Sequence, residues 1–188
     1  MAGGRQDQYA ATFGGVNFME FYANDKVIVN PLRIKPHYLH ELEHNLLLYF
    51  TSTSRLSSSI IETQSRNVEA NDEKSIEAMH HLKEQAQRMK EALLRGKINE
   101  IGEILDYGFQ HKKQMAQGIS NPLMEEMYET AKKAGATGGK ISGAGGGGLM
   151  TFYCPNNTRY EVMKAMDKFG GYFKQYQFVD HGLSTWTI

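Results

Sequence analysis

The sequence predicts an α+β fold, with helices on one face of a mostly antiparallel sheet, from three observations. From residue 46 onward, β-prone runs and helix-periodic stretches follow one another in the order strand, four helices, strand, helix, strand, strand. Several of the helical stretches carry their own start and stop residues. Seven of the nineteen glycines crowd into residues 138–148, directly ahead of an apolar, β-prone run. At 188 residues the chain can bury one sizeable core, or one domain and a piece of another.

Taken in order, residues 1–10 run straight into functional-looking side chains with no preceding element, and read like a cut edge. Residues 16–22 and 26–32 are β-rich runs joined by Ala23-Asn24-Asp25, which predicts a hairpin. Pro36 opens a short helix over 37–45, and Leu46-Leu47-Leu48-Tyr49-Phe50 reads as a buried strand. Residues 52–59 are hydroxyl-rich around Arg55, and Ile60-Ile61 begins a helix that reaches a polar break near Asn71. Ile76, Met79, Leu82, Ala86, Met89 and Leu93 recur at three- and four-residue steps, with Asn71, Asp72 and Glu73 as an acidic start and Gly96 as a stop. A further helix is expected over 98–117, with Ile101, Ile104 and Leu105 inward. Asn121 and Pro122 then supply an N-cap and first helical residue, Met124, Met127, Tyr128 and Ala131 an apolar stripe, and Gly135 an end. Residues 149–153 read as a strand, Thr158-Arg159-Tyr160-Glu161 as a capping box opening a helix that stops at Gly170, and 172–179 and 184–188 as two last strands.

Composition narrows the function classes. Lys and Arg together number 21, as do Asp and Glu, so the chain advertises no field for nucleic acid or an anionic membrane. No apolar run approaches membrane-spanning length, and the start lacks the charged-then-apolar order of a signal peptide. The single cysteine, Cys154, excludes an intramolecular disulfide and reads as a small core residue, which fits a cytoplasmic location.

Gly138-Gly139-Lys140-Ile141-Ser142-Gly143-Ala144-Gly145-Gly146-Gly147-Gly148 implies positive φ angles or close backbone approach, because each glycine costs entropy and brings nothing to bury. Successive backbone N–H groups in such a loop can form an anion-binding concavity, with Lys140 and Ser142 adding a cation and a hydroxyl, and phosphate is the leading ligand. The alternative is a glycine-rich connection between helix and strand that holds no ligand. Gly143, Gly145 and Gly148 satisfy G-x-G-x-x-G, but the dinucleotide fingerprint needs a helix after it and here a strand follows. A P-loop would need Gly at Ala134 and a hydroxyl at Ile141.

Two other groups of residues could carry chemistry. His40-Glu41-Leu42-Glu43-His44 matches the H-E-x-x-H of zinc hydrolases, although the helix is short and a third ligand such as Glu62 or Glu69 would be distant; histidines and glutamates on a solvated helix face are the favoured reading. Asp7, close to Arg5 and to Gly3-Gly4, offers a carboxylate that could orient or deprotonate a substrate hydroxyl, with Arg5 holding its pKa down or binding phosphate. Solvated terminal residues would look the same.

The run from Ala134 through Gly148 closely resembles the third motif of the GHMP small-molecule kinases, the superfamily of galactokinase, homoserine kinase and mevalonate kinase. Gly4-Arg5-Gln6-Asp7-Gln8-Tyr9 resembles the stretch carrying that superfamily's catalytic aspartate. Tyr49-Phe50-Thr51 with Arg55 and Ser57, Lys112-Lys113, Gly118-Ile119-Ser120-Asn121-Pro122 and Asp180-His181-Gly182 are most similar to the heptose 7-phosphate kinase branch. The resemblance covers essentially the whole chain. It implies a ferredoxin-like α/β sandwich over residues 37–188, preceded in residues 1–36 by the end of an amino-terminal domain. It further implies phosphoryl transfer from ATP, with Mg²⁺, to a sugar phosphate. Asp7 would position or deprotonate the acceptor hydroxyl, Lys140, Ser142 and Gly143, Ala144, Gly145, Gly146, Gly147 and Gly148 would neighbour the phosphates, and Arg5, Gln8 and Arg55 are candidates for the acceptor.

The superfamily's P-x-x-x-G-L-G-S-S-A-like nucleotide loop and its amino-terminal substrate motif occur nowhere here, nor do the serine and glutamate expected to hold Mg²⁺. The chain therefore resembles the carboxy-terminal half of such a kinase, and is expected to bind ATP poorly and to transfer no phosphoryl group alone. A hairpin over 16–32 without its sheet partners would leave open edges, so pairing with a second copy or with a separate amino-terminal half is expected. A catalytically silent binding or oligomerisation module with the same fold is the alternative of a different class.

Overall fold

The computed structural model describes residues 4–53 and 57–186, the side chains of residues 57 and 58 excepted. The chain forms α1 (Gln6–Phe13), the strands β1 (Asn17–Phe21) and β2 (Val27–Pro31), α2 (Pro36–Asn45) and β3 (Leu46–Phe50). Then come α3 (Ser57–Glu69), α4 (Glu73–Arg95), α5 (Ile101–Lys112), α6 (Pro122–Lys133), β4 (Gly138–Ile141), β5 (Leu149–Tyr153), α7 (Arg159–Met166) and β6 (Tyr172–Lys174). Strands β1 and β2 make a hairpin, and the other four make a sheet of order β4-β5-β3-β6 in which every pairing is antiparallel.

Alternation along the strands divides this sheet into two unlike faces. Leu47, Tyr49, Ile141, Met150 and Phe152 share one face and pack with Phe109 of α5, Met124, Met127 and Tyr128 of α6, and Val162 and Met166 of α7. Each such side chain, fully buried, contributes about 1.5–3 kcal/mol of apolar burial. On the opposite face Lys140, Thr151 and Leu48 are neighbours in register. At its end Leu46 and Tyr153 join a second cluster with Leu42 of α2, Ala92 and Leu93 of α4, and Ile101, Ile104 and Leu105 of α5. Val16 and Leu32, at the base of the hairpin, pack on that cluster.

Local chemistry explains most boundaries. The Asp72 carboxylate accepts from the Ser75 N–H at 2.8 Å and caps α4, whose end is set by Gly96 at φ 68°. The Asn121 side chain accepts from the Met124 N–H at 3.1 Å, and Pro122 follows at the first helical position of α6. Beyond the C-cap of α1, Gly15 donates to the Val179 carbonyl and Leu183 to that of Thr12, so the segment after β6 returns along this helix. Among the described residues no helix is long and apolar enough to cross a membrane.

Several expectations need correction. Residues 138–141 are a strand, although the glycine content reads as loop. The helix expected over 98–117 begins as a 3₁₀ turn at Ile98–Glu100 and ends at Lys112. In α4 Leu93 is buried and Ile76, Leu82 and Met89 are half-buried as expected, whereas Met79 and Ala86 are exposed and Ser75, Ala78 and Ala92 are buried, because α5 covers the helix along a partly overlapping stripe. Thr158 makes no capping hydrogen bond; its hydroxyl donates instead towards the carbonyls of Pro155 and Gly135, clamping the end of α6. Only Tyr172–Lys174 of the expected 172–179 strand pairs, with Phe50, Tyr49 and Leu48 of β3; further along, the Leu46 carbonyl accepts from the Arg159 guanidinium and the Tyr176 hydroxyl instead. Residues 184–186 form no strand, and the rest of that expected strand lies outside the described residues.

Candidate active site

Edge strand β4 lies against α5 so closely that only glycine fits: a Cβ on Gly138 would stand 1.9 Å from the Gly102 carbonyl oxygen. This contact aligns the two elements and brings the last turn of α5 beside the exit of β4. There Lys112 donates to the carbonyl oxygen of Gly143, the first glycine of the loop 142–148. That loop runs through positive φ at Gly143, Gly145, Gly146, Gly147 and Gly148 (72°, 111°, 78°, 145° and 85°), which explains its composition.

The loop is fixed from both sides. Gly146 donates to the Ile119 carbonyl at 2.8 Å, while Ala144 packs with Ile60, Ala116 and Ile119. Opposite, Gly148 donates to the Thr53 carbonyl at 2.7 Å and Thr51 donates its own N–H to Gly148 at 2.9 Å. Ser142 is tied at the hairpin base by donation to Leu149 at 2.8 Å. The amides of Gly143, Ala144, Gly145 and Gly147 take no partner among the described residues. A rigid loop with four free N–H donors is suited to an anion.

Charge accumulates at the same place. Burial lowers the pKa of Lys140, and the negative charge of Asp7 opposes that shift. Burial and the nearby charge of Lys140 push Lys112 down to about 8. Asp7 stands exposed in the first turn of α1. The fold therefore brings Asp7, Lys140 and the glycine loop together, and adds Lys112, which the residue pattern alone did not single out as a site residue. The one signal in the sequence was the pair of lysines at a helix end. Their fates differ, since Lys113 donates to Glu125 at 2.9 Å.

The remaining candidates have other partners or fall outside the described residues. The Arg5 guanidinium bonds the Asp25 carboxylate in the hairpin turn at 2.6 Å, which raises its pKa. Gln8 is exposed, and its carbonyl accepts from the Thr12 hydroxyl. Arg55 lies outside the described residues. His40 and His44 border a shallow groove with Arg159, which donates to the His44 carbonyl at 2.6 Å. Among the described residues no three His, Cys, Asp or Glu side chains are grouped to hold a metal ion, so the H-E-x-x-H stretch finds no third ligand. Burial pushes the Cys154 thiol up to about 12, which suits a core residue and not a nucleophile.

Residues 89–171 match the family model described as GHMP kinases C terminal. All 188 residues align at 45% identity with D-glycero-alpha-D-manno-heptose 7-phosphate kinase of Campylobacter jejuni, covering 55% of that protein. The chain carries a GHMP kinase carboxy-terminal domain. Among solved GHMP structures, D-glycero-D-manno-heptose 1-phosphate kinase from Bacteroides thetaiotaomicron superposes with a TM-score of 0.71 at 37% identity, over 100% of this chain and 50% of that one. Mevalonate kinase of L. major, in complex with R-mevalonate, shares the fold with a TM-score of 0.75 at 17% identity, over 94% of this chain and 53% of that one. The chain thus spans about half the length of the GHMP relatives it matches.

Proposed function

We propose that this chain contributes the catalytic aspartate and the phosphate loop to an ATP-dependent kinase acting on a sugar phosphate of the heptose phosphate class. The observation that carries the reading is the convergence of Asp7 and Lys140 on a loop with four unpartnered amides. Residues 1–36 are assigned to the end of an amino-terminal domain and 37–188 to the carboxy-terminal domain, the rest of the kinase corresponding to the relatives' other half.

When bound, ATP supplies the phosphoryl group. Asp7 orients the acceptor hydroxyl and accepts its proton as the bond to phosphorus forms. Lys140, Ser142 and the free amides of the loop stabilise the charge developing on the transferred group, and the rigidity of the loop means little reorganisation is needed. Arg5, Gln8 and Arg55 stand as candidates for acceptor contacts.

The test is an Mg²⁺-ATP transfer assay with heptose 7-phosphate, heptose 1-phosphate and unphosphorylated sugars. It is run on this chain alone and mixed with a polypeptide matching the relatives' remaining length. Transfer to a heptose phosphate, reduced about 100-fold or more by Asp7→Asn, is expected. Wild-type rates in the Asp7→Asn protein would remove Asp7 from the mechanism. Absence of transfer from every mixture in which the two polypeptides associate would favour a binding module.

A further inference from the structure

We propose that Lys112 is a phosphate-binding residue, forming with Lys140 a two-ammonium subsite for a phosphate group other than the one transferred at Asp7. The subsite stands on its own geometry; only the source of the phosphate rests on the kinase reading above.

The argument begins with charge that the fold leaves unbalanced. Lys97, Lys113, Lys132 and Lys168 each have a carboxylate within ion-pair distance, respectively Glu100, Glu125, Asp106 and Glu126. Among the described residues neither Lys112 nor Lys140 has one, although both are half-buried and Lys112 feels the charge of Lys140. Two like charges drawn out of water towards each other oppose folding, and an anion placed between them reverses the sign of that interaction. Lys112 gives one of its three ammonium donors to the Gly143 carbonyl, which fixes the head group at the loop and leaves two donors for a ligand.

Position then separates this phosphate from the reacting one. The charge of Asp7 acts on Lys140, whereas Lys112 is influenced by burial and by Lys140. Lys112 is anchored on the loop at the Gly143 carbonyl, whereas Asp7 stands in the first turn of α1, so the phosphate assigned to Lys112 is a different one from the group transferred at Asp7. Two sources share this chemistry, the phosphate already carried by the acceptor sugar and a phosphate of the nucleotide that is not transferred.

Protonation gives the subsite a measurable signature. Lys112 titrates near 8 in the free protein, Lys140 is shifted in the same direction, and a bound dianion raises both. Binding near that pH takes up a proton, and affinity falls as the pH rises further.

The experiment is calorimetric titration of the chain with inorganic phosphate at about pH 8, in buffers of different ionisation enthalpy, for wild type, Lys112→Gln, Lys112→Arg and Lys113→Gln. Lys112→Gln is expected to weaken binding roughly tenfold or more and to lose most of the proton uptake. Lys112→Arg should keep binding without its share of the uptake, because a guanidinium stays charged. Lys113→Gln should bind as wild type. No phosphate binding by wild type, equal binding by Lys112→Gln, or an equal loss in Lys113→Gln would overturn the proposal. In the transfer assay a higher KM for the sugar phosphate or for ATP in Lys112→Gln identifies the source, and unchanged KM values for both would again overturn it. Loss of transfer chemistry with the binding pattern intact would count against the kinase reading and leave the subsite standing.

Discussion

The two halves of the glycine-rich stretch have similar composition and need their glycines for different reasons. In the strand half, Gly138 and Gly139 are buried, and a side chain on either would collide with backbone, at 1.9 Å from the Gly102 oxygen and 2.4 Å from the Thr151 oxygen. In the loop half, Gly143 and Gly148 face open space, yet both have positive φ. Glycine is required for packing in the first half and for conformation in the second, where Gly145 and Gly147 additionally lie too close to the Ile119 and Thr53 carbonyl oxygens, at 2.7 and 2.6 Å, to carry a Cβ. The first half positions α5, and through it Lys112; the second presents free amides. A single compositional signal thus covers two physical demands, one serving the fold and one serving the site.

Substitution at Gly138 should break the strand half most severely. Its obstacle is backbone of α5, which cannot swing aside as a side chain would, so Gly138→Ala is expected to cost about 3 kcal/mol or more, at the upper end of overpacking. The midpoint of chemical denaturation reads this directly, and a loss below 1 kcal/mol would show that α5 can shift without penalty.

Tyr128 is the next test of the strand half, because its hydroxyl is a two-sided tie. It accepts from the Gly139 N–H at 3.1 Å and donates to Asp106 at 2.6 Å. Burial pushes Asp106 up, but hydrogen bonds from Tyr128, Gln110 and Lys132 outweigh it and leave the carboxyl below its ordinary range. Burial and the Asp106 contact drive the Tyr128 phenol well above its own. Tyr128→Phe leaves the Gly139 N–H without this partner and should cost about 1–3 kcal/mol. The same variant should raise the Asp106 pKa, which NMR titration detects; an unchanged value would deny Tyr128 this role.

This contrast also explains what the sequence could disclose. Helix α6 was readable because Asn121, Pro122 and the Met124, Met127, Tyr128, Ala131 stripe act within the helix itself. The cap of α4 at Asp72 was readable for the same reason, while its buried stripe was readable only in part, Met79 and Ala86 being exposed because the packing of α5 decides which positions are covered. Strand β4 was invisible because glycine has poor strand preference, and only contact with Gly102 and pairing with β5 make Gly138 and Gly139 extended. Thr158 carried a capping pattern, but carbonyls brought close by the fold compete for its hydroxyl. The glycine loop and Asp7 were singled out from their residue types. Lys112 became a site residue only once α5 lay beside β4, and the pairing of Arg5 with Asp25 depended on the hairpin folding back.

The mildest substitution isolates the loop half. A methyl group at Gly143 meets nothing within 4 Å, so the cost of Gly143→Ala is that of holding alanine at φ 72°, about 1–2 kcal/mol. Asparagine tolerates this conformation better, so Gly143→Asn should be more stable than Gly143→Ala despite its larger side chain. If space were the constraint, the order would reverse. The carbonyl that holds Lys112 belongs to this residue, so relaxation of φ in the alanine variant also displaces the ammonium. Phosphate affinity should then fall in Gly143→Ala and recover in part in Gly143→Asn. Both variants folded and binding phosphate as wild type would mean that the positive φ at Gly143 serves neither the loop nor its ligand.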